Sequence, residues 1–265
     1  MELAGKTVLL SGATGGIGRA IAQALAGRGA NVVVSSRKQE ALDELAGSLP
    51  GEGHRVVVAD LADEGAAERL VADADQPDVL IANAALPASG LLESFSQAEL
   101  GRALRVNLEA PIRMTRELLP ALRERGSGHF VYVSSLAGKA ASPRASLYSA
   151  TKFGLRGFAL GLREDLRATG VSASVVLPGF IRDAGMFADS GAKPPTGVGT
   201  SSPQEVADGV IRAIEQDRGE VVVAPPVMRA LAGFASRRPE LAGRLARRTA
   251  SKAGDEVARG QADKR

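Results

Sequence analysis

Apolar residues in this chain fall in short continuous runs, and segments of helical periodicity separate these runs. The runs are rich in Val, Leu and Ile and do not alternate with polar residues, which is typical of parallel strands buried on both faces. Strands are predicted over Thr7–Leu10, Asn31–Val34, Arg55–Ala59, Asp78–Ile81, His129–Val133, Val171–Leu177 and Glu220–Ala224.

The segments between these strands predict helices on both sides of one sheet. Helices are expected from Ile17 to near Gly29 and over Gln39–Leu49, Asp63–Asp73, Gln97–Arg125, Ser146–Thr169 and Pro203–Asp217, with Pro111 and Pro120 kinking or breaking the fourth. Strict alternation of strand and helix indicates an α/β fold with a doubly wound, Rossmann-like sheet of about seven parallel strands. Residues 1–265 are expected to form a single domain with its core over about 3–224.

Composition narrows the chemistry. The chain has no cysteine and only two histidines, far apart in sequence, which excludes disulfides and thiolate sites and argues against a metal centre or a Ser-His triad. No metal site is therefore predicted. No apolar run approaches the ~20 residues that span a bilayer, and no signal peptide is expected before the first strand, so the predicted location is cytoplasmic.

The positive charge is concentrated at the C-terminus. From Met228 onward there are ten lysines and arginines against four acidic residues. Residues 225–265 are predicted to be a short basic helical extension, with Leu231, Phe234, Leu241 and Leu245 as thin apolar stripes. Such a segment can lie on an anionic membrane, but packing on its own body or on a subunit is the favoured alternative. No nucleic-acid partner is expected.

Three glycines lie where the first strand becomes the first helix. Gly12, Gly16 and Gly18 would allow a tight turn and let backbone N–H groups approach a pyrophosphate at the helix N-terminus. An ordinary strand–helix turn needs only one or two glycines. The spacing and its place in the first strand–helix unit therefore favour a dinucleotide site.

Tyr148 and Lys152 lie four residues apart, on one face of a predicted helix. A neighbouring ammonium group is expected to lower the pKa of the phenol toward the range where proton transfer is effective. An isolated pair of this spacing is more often a core tyrosine beside a solvated lysine. The glycine-rich turn, Ser135 and Asn83 at the ends of predicted strands, and Asn107 in the long helical region favour a catalytic group instead.

Together these motifs resemble the short-chain dehydrogenase/reductase family over about Leu3–Ala224. The resemblance implies a catalytic group of Asn107, Ser135, Tyr148 and Lys152, in which Tyr148 transfers a proton, Lys152 lowers its pKa and holds the ribose, Ser135 binds the substrate oxygen and Asn107 anchors a water. It also implies a cofactor site of Gly12, Thr14, Gly15, Gly16, Ile17, Gly18, Ser36, Arg37, Asp60, Leu61, Asn83, Ala84, Tyr148, Lys152, Pro178, Gly179 and Ile181.

The end of the second strand predicts which cofactor is bound. Ser36 stands where family members that prefer NAD carry an acid, and Arg37 could pair with a 2′-phosphate, so NADP(H) is expected over NAD(H). Asp183 occupies the usual place of a threonine that touches the nicotinamide carboxamide. If Asp183 points inward, its charge would favour the oxidised cofactor; the favoured alternative is that it faces solvent near Arg182 and Ile181 makes the backbone contact.

The expected activity is hydride transfer between NADP(H) and a carbonyl or secondary alcohol of a hydrophobic small molecule, such as a ketone, a 3-oxoacyl compound or a sterol-like alcohol. A mobile substrate lid is expected over residues 184–202, and the resemblance suggests a homodimer or homotetramer. The alternatives are an idle NADP(H)-sensing regulator on the same fold and, less well matched by the glycine spacing, a nucleotide-sugar epimerase or dehydratase. Four residues are expected to line an apolar pocket: Leu86, Pro87, Met186 and Phe187.

Overall fold

The computed structural model describes residues 1–195, 197–249 and 251–261, without the side chains of 245–249 and 251–253. Its strands are β1 Thr7–Ser11, β2 Asn31–Ser36, β3 Arg55–Val58, β4 Val79–Ala82, β5 Gly128–Val133, β6 Val171–Pro178 and β7 Glu220–Val223. Its helices are α1 Gly16–Ala26, α2 Gln39–Ser48, α3 Ala66–Asp73, α4 Gln97–Leu104, α5 Ala110–Arg125, α6 Ser146–Asp165, α7 Pro203–Glu215, α8 Pro226–Arg237, α9 Pro239–Thr249 and α10 Ser251–Gln261.

All seven strands form one parallel sheet in the order β3-β2-β1-β4-β5-β6-β7. The doubly wound, Rossmann-like sheet predicted from the sequence is thereby confirmed. The chain adds β2 and β3 on one side of β1 and then crosses over to add β4 on the other side. In this register Ser11 of β1 lies level with Ser35 of β2 and with Ala82 of β4. A crevice at the carboxyl ends of the strands is expected at such a crossover.

Helices cover the sheet on both faces. One apolar layer joins β1 and β2 to α1, α2 and α7, and the other joins β4, β5 and β6 to α3, α5 and α6. The runs are continuous because the side chains on both faces are buried: Val8, Leu9 and Leu10 of β1 are each fully enclosed.

The predicted helical region over Gln97–Arg125 is helical throughout, and a π-helical turn just before Pro111 divides it into α4 and α5. Ser96 caps α4 by accepting from the Glu99 N–H at 3.2 Å, and α4 ends at Leu104. A π-helical turn over Arg105–Glu109 then carries the chain into α5. Pro111 lies in the first turn of α5, where its missing N–H costs nothing, whereas Pro120 lies inside α5 without ending it.

The described part of the basic extension forms three helices, α8 to α10. Met228, Ala232 and Ala235 of α8 face the body, whereas Leu231 and Phe234 remain exposed by 53% and 41%. The side chain of Leu245, expected to continue the apolar stripe, lies outside the described part of the chain. No helix within the described ranges is long and apolar enough to cross a membrane.

Candidate active site

A cleft of about 1390 Å³ opens at the carboxyl ends of the strands. This volume exceeds the ~300–1,000 Å³ of an ordinary small-molecule pocket, and it would accommodate a dinucleotide together with a second ligand. All the predicted cofactor residues line it, as do Ser135, Leu86, Pro87, Met186 and Phe187. Asn107 is the one predicted catalytic residue that is not part of this lining.

Close packing explains the glycines between β1 and α1. Gly12 has φ of +66°, and a Cβ there would lie 2.7 Å from the Ala84 Cα. A Cβ on Gly18 would overlap the carbonyl oxygen of Gly12, and one on Gly16 would overlap Ala184 of the lid segment. Because these three positions lack a side chain, the turn after β1 can pack closely against the end of β4 and against the lid segment (residues 184–202).

Asn83 fastens the end of β4 to this turn. Its Nδ2 donates to the carbonyl oxygens of Ser11 at 3.2 Å and Gly12 at 3.0 Å. The N–H groups of Asn83 and Ala84 donate to the Ser11 hydroxyl at 3.2 and 3.3 Å. Within the described chain, no side chain caps the N-terminus of α1 at Gly15, so its backbone N–H groups are free to bind an anion.

The ends of β2 and β3 form the adjacent wall. Ser36 Oγ is buried and has no hydrogen-bond partner among the described residues, and Arg37 beside it is exposed. Asp60 accepts from the Ala62 N–H at 3.0 Å, which holds Leu61 at the wall. An unpartnered buried hydroxyl beside a guanidinium, close to a glycine cradle and a free helix N-terminus, fits a phosphorylated dinucleotide.

Ser135, Tyr148 and Lys152 converge from β5 and α6. The Ser135 hydroxyl lies close enough to the Tyr148 phenol to lower its pKa, and it accepts a hydrogen bond from the Ala137 N–H at 3.1 Å. Lys152 is 2% exposed, and its Nζ lies 5.7 Å from the centre of the Tyr148 ring. Lys152 Nζ donates to the carbonyl oxygen of Val133 at 3.1 Å, which directs the amine toward the end of β5.

The expected lowering of the Tyr148 pKa is not found in this structure. Burial raises the pKa of Tyr148, and the hydrogen bond from Ser135 offsets only part of that effect. Burial also lowers the pKa of Lys152 to about 8, because the buried ammonium is itself poorly solvated. The burial that makes the Tyr148 phenol harder to ionise therefore also favours the neutral form of the Lys152 amine.

Asn107 lies in the π-helical turn behind the cleft wall and is fully buried. Its Oδ1 accepts from the Leu86 N–H at 2.7 Å, and its Nδ2 donates to the Leu86 carbonyl oxygen at 3.0 Å. The side chain therefore holds the segment after β4 in place. The water-anchoring role expected from the family remains a prediction.

Asp183 faces solvent, as the favoured alternative expects. Its carboxylate lies 3.4 Å from Arg182 Nε and its side chain is 69% exposed. The adjoining segment is held by bonds between the Arg182 N–H and the Ser201 carbonyl and between the Ser201 N–H and the Phe180 carbonyl, both 2.9 Å. These bonds turn the N–H and C=O of Ile181 to the opposite side.

Several residues that line the cleft were not identified from the sequence. Arg102 comes from α4 and Arg144 from the loop before α6, and the basic extension contributes a further set. The apolar stripes of that extension were the only sequence signal, and they do not specify what the helices pack against. The lining residues from the extension are Met228, Leu231, Ala232, Phe234, Ala235, Ala242, Gly254, Val257 and Gln261.

The known proteins to which this chain is similar include dehydrogenases and reductases. A family described as short chain dehydrogenase matches residues 6–194. A ketoacyl reductase, HetN, of Nostoc sp. is 39% identical over 227 residues, which cover 83% of this chain and 79% of the relative. A 3-oxoacyl-acyl-carrier-protein reductase of Rickettsia conorii is 31% identical over 182 residues, covering 69% and 75%. A short-chain dehydrogenase of Sphingobium yanoikuyae, solved in complex with NADPH, superposes with a TM-score of 0.75 at 27% identity, covering 89% and 95%.

Proposed function

Because the chain belongs to the short-chain dehydrogenase/reductase family, we propose that it is an NADP(H)-dependent oxidoreductase that interconverts a carbonyl and a secondary alcohol. The observation that carries the proposal is the convergence of Ser135, Tyr148 and Lys152 on the cleft that also contains the glycine turn. A bound nicotinamide would supply or accept the hydride in this chemistry.

Residues of the chain would position the substrate and transfer the proton. The Ser135 hydroxyl and the Tyr148 phenol would both bond the substrate oxygen. In the reduction, Tyr148 would give its proton to the oxygen as negative charge develops there. The phenol is protonated at neutral pH and can therefore act as the acid, although burial raises its pKa and makes it a weaker proton donor. Lys152 would hold the ribose and stabilise the phenolate that proton transfer leaves behind.

NADP(H) is the cofactor proposed here. Ser36 Oγ is buried without a partner in the described structure, and Arg37 follows it at the same wall. Together they offer a hydroxyl and a planar cation to a 2′-phosphate, and no carboxylate stands in Ser36's place to repel it. The Sphingobium relative solved with NADPH supports this choice.

The proposed substrate is a small or medium hydrophobic carbonyl compound, with a 3-oxoacyl compound favoured. The relatives described as ketoacyl and 3-oxoacyl reductases support this class, and so do the apolar side chains of Leu86, Met186 and Phe187 in the cleft. We also propose a homodimer or homotetramer. Exposed Leu104 and Phe153, near the π-helical turn and on α6, offer apolar surface for it. The cytoplasmic location stays a prediction.

Replacing Tyr148 with Phe tests the proposal. We expect turnover of a 3-oxobutanoyl ester with NADPH to fall by roughly 10²–10⁴-fold, because the proton donor is lost, while the dissociation constant for NADPH stays unchanged. The decrease in nicotinamide absorbance measures turnover, and cofactor fluorescence measures binding.

Tyr132→Phe is the matched control. Tyr132 lies in the core, where its hydroxyl bonds that of Thr115 at 2.6 Å, so its loss should affect stability alone. Undiminished turnover in Tyr148→Phe would remove Tyr148 from its role. A wild-type protein that binds NADPH but reduces no ketone, thioester or aldehyde in a broad panel would favour the cofactor-sensing alternative.

A further inference from the structure

The last helix, α10, lies against the loop that precedes α6. Asp255 pairs with Arg144, with 2.7 Å between Oδ1 and Nε. Gly254 packs so closely on the same loop that a Cβ there would lie 3.0 Å from the Pro143 carbonyl oxygen. Arg144 and Pro143 both line the cleft, so α10 is fastened to one side of it.

The same helix is fastened to the lid segment on the other side. Gly260 packs on the short turn at Ala188–Ser190, where a Cβ would overlap the backbone of Ser190. Gln261 Nε2 donates to the Met186 carbonyl oxygen at 3.2 Å. Helix α10 therefore contacts both the loop before α6 and the lid segment, which border the cleft. Val257 and Gln261 of α10 line the interior of the cleft.

Gln261 is 5% exposed, and its Oε1 has no hydrogen-bond partner among the described residues. The orientation of the amide is fixed, because the Met186 carbonyl can only accept and must face Nε2. A buried amide oxygen without a donor is unfavourable and rare in folded proteins. A buried acceptor in a ligand cleft is satisfied when a ligand brings the donor.

We propose that α10 closes the substrate cleft and that Gln261 determines specificity. Its amide oxygen accepts a hydrogen bond from an N–H or O–H group of the substrate, away from the reacting carbonyl, which Ser135 and Tyr148 already serve. The chemical class is a 3-oxoacyl compound that carries a secondary amide or a hydroxyl on the part beyond the carbonyl. This inference rests on the proposed function for its substrate class.

Two thioesters of 3-oxobutanoic acid test the hydrogen bond. The N-acetylcysteamine thioester carries one amide N–H, and the S-pentyl thioester has a chain of similar length without a donor. Gln261→Met keeps the side-chain volume but cannot accept this bond. We expect its KM for the N-acetylcysteamine thioester to rise about three- to tenfold, with kcat retained and the KM for the S-pentyl thioester unchanged.

An equal change of KM for both thioesters, or none for either, would overturn the role of Gln261. Reduction of other ketones but of neither thioester would overturn the 3-oxoacyl substrate class and this inference with it, whereas failure with every carbonyl compound of the panel would contradict the proposed function. The closing role of α10 has its own test that needs no turnover.

Gly260→Val should lift α10 from the lid segment, because the new side chain would overlap Ser190. We expect amide hydrogen exchange over residues 184–190 to accelerate by about tenfold or more in the full-length variant. Gly47→Val is the matched control, since within the described structure no atom lies within 4 Å of a Cβ at that helical glycine. Unchanged exchange in Gly260→Val would overturn the closure.

Discussion

The two tyrosines show how environment decides what one side-chain type does. Tyr132 is fully enclosed and bonded to Thr115, whereas Tyr148 is only partly enclosed and has Ser135 beside its hydroxyl. The sequence spacing located the Tyr148–Lys152 pair because residues four apart on a helix share a face. It misjudged the pKa of the phenol, because desolvation depends on neighbours from β5 and the surrounding loops, which spacing does not reveal.

Lys152 makes the stability of the protein depend on pH in alkaline solution. Burial lowers its pKa to about 8 from 10.5. Between these values the unfolded chain binds more protons than the folded one, so this group's contribution to stability rises with pH. From pH 7 to 9.5 we expect the free energy of unfolding of the wild type to rise by about 2 kcal/mol relative to that of Lys152→Met. Urea unfolding at both pH values measures this gain, and a pH-independent difference would contradict it.

Arg37 is expected to set the cofactor preference. In Arg37→Ala, the ratio of kcat/KM for NADPH to that for NADH should fall by about ten- to a hundredfold, because a charge-assisted bond to the 2′-phosphate is lost. Activity with NADH should change little. Arg116→Ala, which removes an arginine with an 81% exposed side chain on α5, is the control for net charge. An unchanged ratio in Arg37→Ala would place cofactor selection elsewhere.

Among the elements, the segment around Asn107 departs most from the sequence prediction. Helical periodicity runs through Gln97–Arg125 and the prolines predict a kink or break, but neither predicts the π-helical turn at Arg105–Glu109. Asn107 explains the insertion, since its amide forms two bonds with the backbone of Leu86. A partner 21 residues away in the chain cannot be identified from periodicity alone. π-helical turns of this kind are frequent at functional sites.

The turn between β1 and α1 has little room for added volume. In Gly18→Ala, the methyl group would overlap the Gly12 carbonyl and lie 2.8 Å from the Ala13 Cα. We expect a loss of about 1–3 kcal/mol in the free energy of unfolding. NADPH affinity should also fall by at least about tenfold, because the backbone that faces the pyrophosphate is displaced.

Gly101→Ala on α4 is the control, since a Cβ there meets no described atom within 4 Å. It should be neutral or slightly stabilising, because alanine favours helix more than glycine does. Calorimetry measures stability, and fluorescence titration measures affinity. Wild-type affinity in Gly18→Ala would show that the turn does not contact the cofactor.

At the scale of the whole molecule, the sheet and the helical character of the extension were predictable, and the packing of the extension was not. Continuous apolar runs separated by amphipathic helices leave few alternatives to a parallel doubly wound sheet. The positions of α8 to α10 depend instead on individual contacts such as those of Asp255 with Arg144 and Gln261 with Met186. Neither contact has a periodic signal, so the sequence predicts a basic helical extension with thin apolar stripes but not the surfaces on which its helices pack.

Acid should destabilise the whole fold through His129. This side chain projects from β5, is buried, and bonds Ser174 of the neighbouring strand β6 at 2.8 Å; burial lowers its pKa to about 4 from 6.5. Between these values the unfolded chain binds more protons, so this stability is lost as pH falls. From pH 7 to 5 we expect the free energy of unfolding to fall by about 2 kcal/mol more in the wild type than in His129→Gln. Identical pH dependence in the two proteins, measured by urea unfolding, would contradict this assignment.

The enclosure of Tyr132 has a spectroscopic consequence. The chain contains no tryptophan and only two tyrosines. Burial raises the pKa of Tyr132 far above its usual value, so this phenol stays protonated while the fold is intact. Any near-ultraviolet absorbance of phenolate in the folded protein must then come from Tyr148. An unmodified sample titrated with alkali therefore reports directly on the proton that the proposed reaction transfers.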